Sequence, residues 1–490
     1  MLGVVRHLAD RAREQNPLAT HDDVGLEPAD AVGELLDVMV PAPFAVADDV
    51  NAGEFLQADG KDHVLVHARF ELAGFHPAFL AGKEQGADGL GAGQAANHLG
   101  GEQREPLQTG GHTDPFFVGL HRAADYSGDP MERKELLHLA RQVLTIPTAP
   151  YHEHGVQRFV IAHCRQLGLQ PRMDRWGNVI VRYVGAPFRA RSVRSRPEGR
   201  SHRTPPLVLV AHMDHPGFES LGGDRVEFLG GVPPELFPRA RIRFGHQTVR
   251  VVRVTGRKEM RVSAPVPRGT FGMWDVPAFR LRDGKLHACA IDDVLSVVVI
   301  LATLSEVVRQ RVATHLWGVF TRAEEVGFNG AVEVARSGVV PKAALVISME
   351  MSKQRPWARI GHGPVIRVGD RMTMFDPAAA WFLERAARDA VKAQRALMDG
   401  GTCEATTFAG FGYRVGGLCL PLGNYHNIGR GMKPRAEYVS VSDLEGLVKL
   451  TVAAARAWRG FSRVGQTLRK VVLDIRCRAP RKLQRCPNLV

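Results

Sequence analysis

Cysteine is scarce: there are six in 490 residues, and no two stand as a CxxC pair. A disulfide framework and a zinc ribbon are thereby excluded, and Cys477 and Cys486 in the basic tail read as free thiols. A reducing, cytoplasmic setting fits that usage. Long apolar runs are also missing. The longest, Val294 to Leu304, has 11 residues and includes Ser296 and Thr303, which is too short to span a bilayer. The opening stretch MLGVVRHLADRAREQ holds no apolar core of signal-peptide length. Aromatic residues make up only 7% and are not interleaved with basic ones, so the formal charge of +13 finds no nucleic-acid-binding motif to support it. Lysine is nearly absent from residues 1–130, which hold two.

What is present is ordinary globular material, 44% apolar and 23% charged. The charge divides into two regimes. Residues 1–130 hold 8 Lys+Arg against 21 Asp+Glu, a net of −13, and residues 131–490 hold 56 against 30, a net of +26. The acidic part, with segments such as GADGLGAGQAANHLGG (86–101), has neither helical nor strand periodicity. It reads as an unassigned extension, disordered or not native, that a catalytic unit beginning at Met131 does not need.

From Met131 the pattern is α/β. MERKELLHLARQVLTIP predicts an amphipathic helix through Leu136, Leu137, Leu139, Ala140, Val143 and Leu144, stopped by Pro147. Helices are expected near 156–167, 293–309, 330–337, 377–397 and 441–458. Strands are expected at 178–183, 207–212, 315–320 and 343–348, the short β-branched runs reading as buried parallel strands. Residues 219–285 alternate strand-like segments such as RARIRF (239–244) and QTVRVVRV (247–254) with Gly and Pro, the texture of a small inserted β-domain. The fold class is therefore α/β: a doubly wound mixed sheet with helices on both faces, made from 131–218 and 286–457, plus the insert. A basic tail, 458–490, follows.

Five segments place ionisable groups at the ends of these elements. In AHMDH (211–215) a buried strand runs into His212 and Asp214, and a carboxylate two residues along could hold the second ring nitrogen of a metal-bound histidine. Asp292–Asp293 opens an apolar helix, where capping is the plainer explanation. Glu324–Glu325 follows a strand, either as a solvated loop pair or as two acids held together by a cation. Glu350 lies two residues past an expected strand, and His426 lies in the loop PLGNYHNIG.

Taken in order, the series His–x–Asp, Asp–Asp, Glu–Glu, acid, His resembles the co-catalytic dinuclear zinc aminopeptidases, most closely the tetrahedral, glutamyl-type family. DRWGN (174–178), AHMDHPGF (211–218), WDVPAFRLRDGKLHACAIDD (274–293), EEVGFNGA (324–331) and GGTCEATTFAGFG (400–412) are each similar to a segment of that family. The resemblance covers about 131–457. It implies two divalent metals, zinc with cobalt or manganese as alternatives. His212, Asp292 and Glu350 would hold one, and Asp292, Glu325 and His426 the other. Glu324 would be the general base and Asp214 the partner of His212. The activity implied is removal of N-terminal residues from peptides by a homo-oligomer. The chain departs from the family at four places: Val294 stands for an Arg, Glu350 for an Asp, His215 for an acid and Glu404 for an Asp. A related metallo-carboxypeptidase or N-acyl-amino-acid deacylase would reuse the same ligand series, but such deacylases insert an α/β domain with long helices. No specific nucleic acid and no membrane is expected as a partner.

Overall fold

The computed structural model describes residues 131–185 and 205–463. The expectations for the acidic extension and for most of the basic tail lie outside these residues.

The chain opens with α1 (Arg133–Leu144) and α2 (His154–Gln166), then β1 (Arg172–Met173), β2 (Val179–Val184) and β3 (Leu207–His212). A six-stranded closed barrel follows, made of β4 (Gly217–Gly222), β5 (Arg225–Leu229), β6 (Arg241–Phe244), β7 (Gln247–Val254), β8 (Glu259–Val262) and β9 (Phe271–Trp274). Alternation explains it: β7 puts Val249 and Val251 inside and Arg250 outside, and β8 buries Met260 and Val262. Phe218, Phe228, Phe237 and Trp274 fill one end, with Phe218 edge-on to Trp274 at 4.7 Å. Beyond the barrel, β10 (Arg280–Arg282) and β11 (Lys285–Ala288) lead to α3 (Val294–Arg309), β12 (His315–Thr321), α4 (Asn329–Ser337), β13 (Leu345–Lys353) and β14 (Val365–Gly369). The remainder is α5 (Pro377–Ala387), β15 (Gln394–Leu397), α6 (Glu404–Gly410), β16 (Arg414–Leu422), β17 (Ile428–Gly429), β18 (Lys433–Pro434), β19 (Glu437–Ser440) and α7 (Val441–Ala457).

The main sheet has eight strands in the order β1-β2-β12-β3-β13-β16-β14-β15. Its centre, β12-β3-β13-β16, is parallel, while β2 and β14 run against their neighbours β12 and β16. The expected mixed α/β sheet is thus borne out. From β3 the chain goes first to β12 on one side and then to β13 on the other. That reversal opens a crevice beyond the carboxyl ends of the central strands. One face of the sheet is covered by α2, α3, α5 and α7, with α1 laid on α3, and α4 and α6 cover the other through Val334, Ala335, Ala405 and Phe408. The 11-residue apolar run lies in α3, which is buried around nearly its whole circumference, so its uniform hydrophobicity belongs to a core helix. Among the described residues no helix is long and apolar enough to cross a membrane.

Two expectations need correction. The helix expected over 377–397 ends at Ala387, and Gln394–Leu397 is an edge strand parallel to β14. There the side chain of Gln394 bonds both the N–H and the carbonyl of Arg359, so pairing outweighs local helix preference. Strand β13 does not stop at 348 but pairs with β16 as far as Lys353–Leu422, which puts Glu350 inside the strand.

Candidate metal centre

At the carboxyl ends of β3, β12 and β13 the crevice gathers a dense group of acids and two imidazoles. His212 ends β3, Asp292 precedes α3, Glu324 and Glu325 follow β12, Glu350 projects from β13, and His426 sits in the turn after β16. Ligand atoms of His212, Asp292 and Glu350 lie within 4.8 Å of one another, as do those of Asp292, Glu325 and His426, and those of His212, Glu324 and Glu325.

Asp292 stands at the middle. Its Oδ1 lies 3.8 Å from His212 Nε2 and its Oδ2 lies 3.6 Å from His426 Nε2, so one carboxylate offers one oxygen to each ring. His212 Nε2 also lies 3.7 Å from Glu324 Oε2, and His426 Nε2 3.4 Å from Glu325 Oε2. Both rings are held from behind. His212 Nδ1 lies 3.1 Å from the Asp214 carbonyl, and His426 Nδ1 lies 2.9 Å from the carbonyl of Gly231, which belongs to the barrel. An Nδ1–H donated to a carbonyl leaves the Nε2 lone pair free in the neutral ring, the arrangement a metal-binding histidine requires.

The backbone around these groups is fixed by carboxylates. Asp214, fully buried, lies 3.6 Å from His212 Nδ1 and accepts the N–H groups of Glu324 and Glu325, each at 3.1 Å. It therefore orients the Glu–Glu pair as well as the ring. Glu437, also buried, accepts the N–H groups of Ile291, Asp292 and His426. Glu153 bonds Arg322 and the Ala323 N–H, steadying the segment that leads into Glu324. His215 bridges the Asp292 carbonyl and Asn427 Oδ1. Asp293 is at the N-cap position of α3, but its side chain makes no capping bond and both its oxygens are buried without a partner.

So many acids in one buried place perturb one another. Burial and neighbouring carboxylates push Asp293 and Glu324 well above the usual carboxylate range, and burial lifts Glu350 to about 8 and Glu404 to about 7. Burial works against charge on His212 and His426, yet the acids facing them (Glu324 and Asp214 for the first, Glu325 and Asp292 for the second) hold both well above the ordinary imidazole value. The cluster demands positive charge. Buried Asp292 Oδ1 and Glu325 Oε1 have no hydrogen-bond partner, so the donor set of two imidazoles and several carboxylates fits divalent cations.

The six residues singled out in the sequence as ligands or base thus come together, with Asp214 behind them. Glu437 and the Gly231 carbonyl were not legible, and Asp293, expected as a helix cap, makes no capping bond. Glu437 lies in an ordinary strand segment with no motif around it, and a backbone carbonyl carries no residue signature.

The family model described as M42 glutamyl aminopeptidase matches residues 252–450. A curated protein from Acetivibrio thermocellus, provisionally named an aminopeptidase, is 23% identical over 356 residues, covering 66% of this chain and 99% of its own. Among solved structures, an aminopeptidase from the archaeon Desulfurococcus kamchatkensis aligns with a TM-score of 0.54 at 21% identity, covering 66% of this chain and 95% of its own. The TET1 peptidase of Pyrococcus horikoshii aligns at 0.52 and 19% identity, covering 65% and 99%. At these identities the solved structures speak to the fold. The family match bears out the resemblance drawn from the sequence.

Proposed function

On the match of residues 252–450 to the M42 glutamyl aminopeptidase model, we propose that the chain removes N-terminal residues from peptides at a dinuclear metal centre. The observation that carries this reading is the sharing of Asp292, one oxygen facing His212 and the other His426. In this reading His212, Asp292 and Glu350 hold one cation, and Asp292, Glu325 and His426 hold the second. Two divalent cations, zinc by preference, would supply Lewis acidity to a water and to the scissile carbonyl. Glu324 is the general base: with Oε2 3.7 Å from His212 Nε2 it borders the centre, and it is the acid left over when the two ligand triads are filled. It takes a proton from the attacking water and returns it to the leaving amine. Asp214 fixes the ring of His212 and, through the two N–H bonds it accepts, the direction of Glu324.

The barrel, small and all-β, supports the aminopeptidase over a deacylase with an α/β insert. The P. horikoshii peptidase can assemble into a tetrahedron or an octahedral shell, and we extend a homo-oligomeric state to this chain. The acidic extension stands outside the catalytic unit in this reading.

The test is metal analysis of protein purified without chelator, joined to hydrolysis of a panel of free and N-acylated aminoacyl p-nitroanilides. About two divalent ions per chain are expected, with activity on free amino termini that chelation removes and zinc or cobalt restores. Metal content near zero, with no gain on adding either ion, would refute the proposal.

A further inference from the structure

His215, which stands where the family it resembles carries an acid, is fully buried, and both of its ring nitrogens meet acceptors. Nδ1 faces the carbonyl of Asp292, and Nε2 lies 2.8 Å from Oδ1 of Asn427. The amide of Asn427 is not free to turn a donor toward the ring, because its Nδ2 already donates to the carbonyls of Cys289 and Arg435, at 2.9 and 3.1 Å. The ring therefore donates from both nitrogens, as the protonated imidazole does. An ionised carboxylate in its place would have no hydrogen to give either partner. Glu437 works on the same peptide from its other side. It accepts the Asp292 N–H at 3.0 Å and, through its second oxygen, the His426 N–H at 2.8 Å. Its carboxylate also acts electrostatically on the ring of His215.

The two cation sites do not rest equally on these bonds. His212 and Glu350 belong to β3 and β13, whose ladders fix them. His426 has no long strand behind it. It sits in a turn where Asn424, His426 and Asn427 all have positive φ (55°, 53° and 62°), a region uncommon for residues other than glycine. His215 reaches that turn through Asn427, the neighbour of His426, and reaches the bridging ligand through the Asp292 carbonyl. We infer that His215 is a positioning residue for the second cation, tying Asp292 to the turn that presents His426 and so holding these two ligands at a fixed span. The inference rests on the dinuclear reading above, and it gives this chain a link that an ionised acid at the same position does not make.

The experiment titrates chelator-treated protein with zinc against a competing chelator, for the wild-type chain, His215→Phe and His215→Gln. Glu350→Gln and Glu325→Gln, each removing a ligand that serves one site alone in the reading above, identify the two binding steps. His215→Phe keeps a ring in place and gives neither hydrogen bond. The step identified by Glu325→Gln should then weaken about 10- to 100-fold, the ordinary effect of losing a group behind a metal ligand, while the other stays within about threefold. His215→Gln can serve one of the two acceptors and should fall between, a comparison that stands even if His215→Phe does not fold. The melting temperature of the metal-free protein, followed in parallel, reads a purely structural role. Equal weakening of both steps with a lowered metal-free melting temperature would make His215 a packing residue, and unchanged affinities in both variants would remove it from the site. Either result overturns the inference alone. A wild-type chain that takes up only one zinc ion refutes the dinuclear reading and the inference together.

Discussion

Asp214 and Glu324 show how much a single side chain does in this crevice. Replacing Glu324 by Gln keeps its shape and removes the proton acceptor, so turnover should fall by about 10²- to 10⁴-fold while metal content, measured on the same preparation, is unchanged. Residual activity near the wild-type level would place the base elsewhere. Asp214→Asn changes two things, since an amide cannot accept both the Glu324 and Glu325 N–H groups as a carboxylate does. Metal affinity, followed by competition with a chelator, should weaken roughly 10- to 100-fold, the usual cost of losing a group that orients a ligand. Residues of this kind were readable in the sequence because each stood beside another ionisable group at the end of an apolar run: His212 with Asp214, Asp292 with Asp293, Glu324 with Glu325. Glu437 had no such neighbour, and its three N–H partners come from segments that only the fold brings together.

At the scale of elements, the loop between β12 and α4 carries the greatest constraint. Ala323 and Phe328 both have positive φ (51° and 59°), and Gly330 packs so closely that a Cβ there would lie 2.4 Å from the Arg322 nitrogen and 2.4 Å from Asn178 Oδ1. Gly330→Ala should therefore push this loop off β2 and β12, costing about 1–3 kcal/mol of stability. It should also lower kcat, because Glu324 and Glu325 hang from the same loop. Denaturant titration and steady-state kinetics on one preparation check both. A variant with native stability and turnover would show that the loop has room to spare. The central strands and α3 were legible in outline because uniform burial writes a plain apolar run. The edge strand Gln394–Leu397 was not, since an edge strand that pairs on one side carries little periodicity of its own.

Considered whole, the metal-free molecule folds around a cluster that must hold protons. His212 and His426 are raised by facing carboxylates, and burial lifts Glu350 to about 8 and Glu404 and Glu437 to about 7. Every one of these folded-state values lies above its unfolded counterpart. At these groups the folded chain binds more protons than the unfolded one, so their contribution to stability falls as pH rises from about 5 through 8. Calorimetric melting of chelator-treated protein should show that decline, and metal-loaded protein should show a flatter profile because cations replace the protons. A metal-free melting temperature that climbs over this range would contradict the reading. Hydrogen bonds join the two parts of the molecule, among them that between His152 and Glu219 of β4 and that from the ring of His426 to the Gly231 carbonyl just after β5. Such a bond transmits in both directions, for coupling between sites is reciprocal. If the barrel steadies the imidazole for its cation, the cation must in turn steady the barrel. The insert is then a listener to the chemistry, its own breathing quieted or released according to what the centre holds.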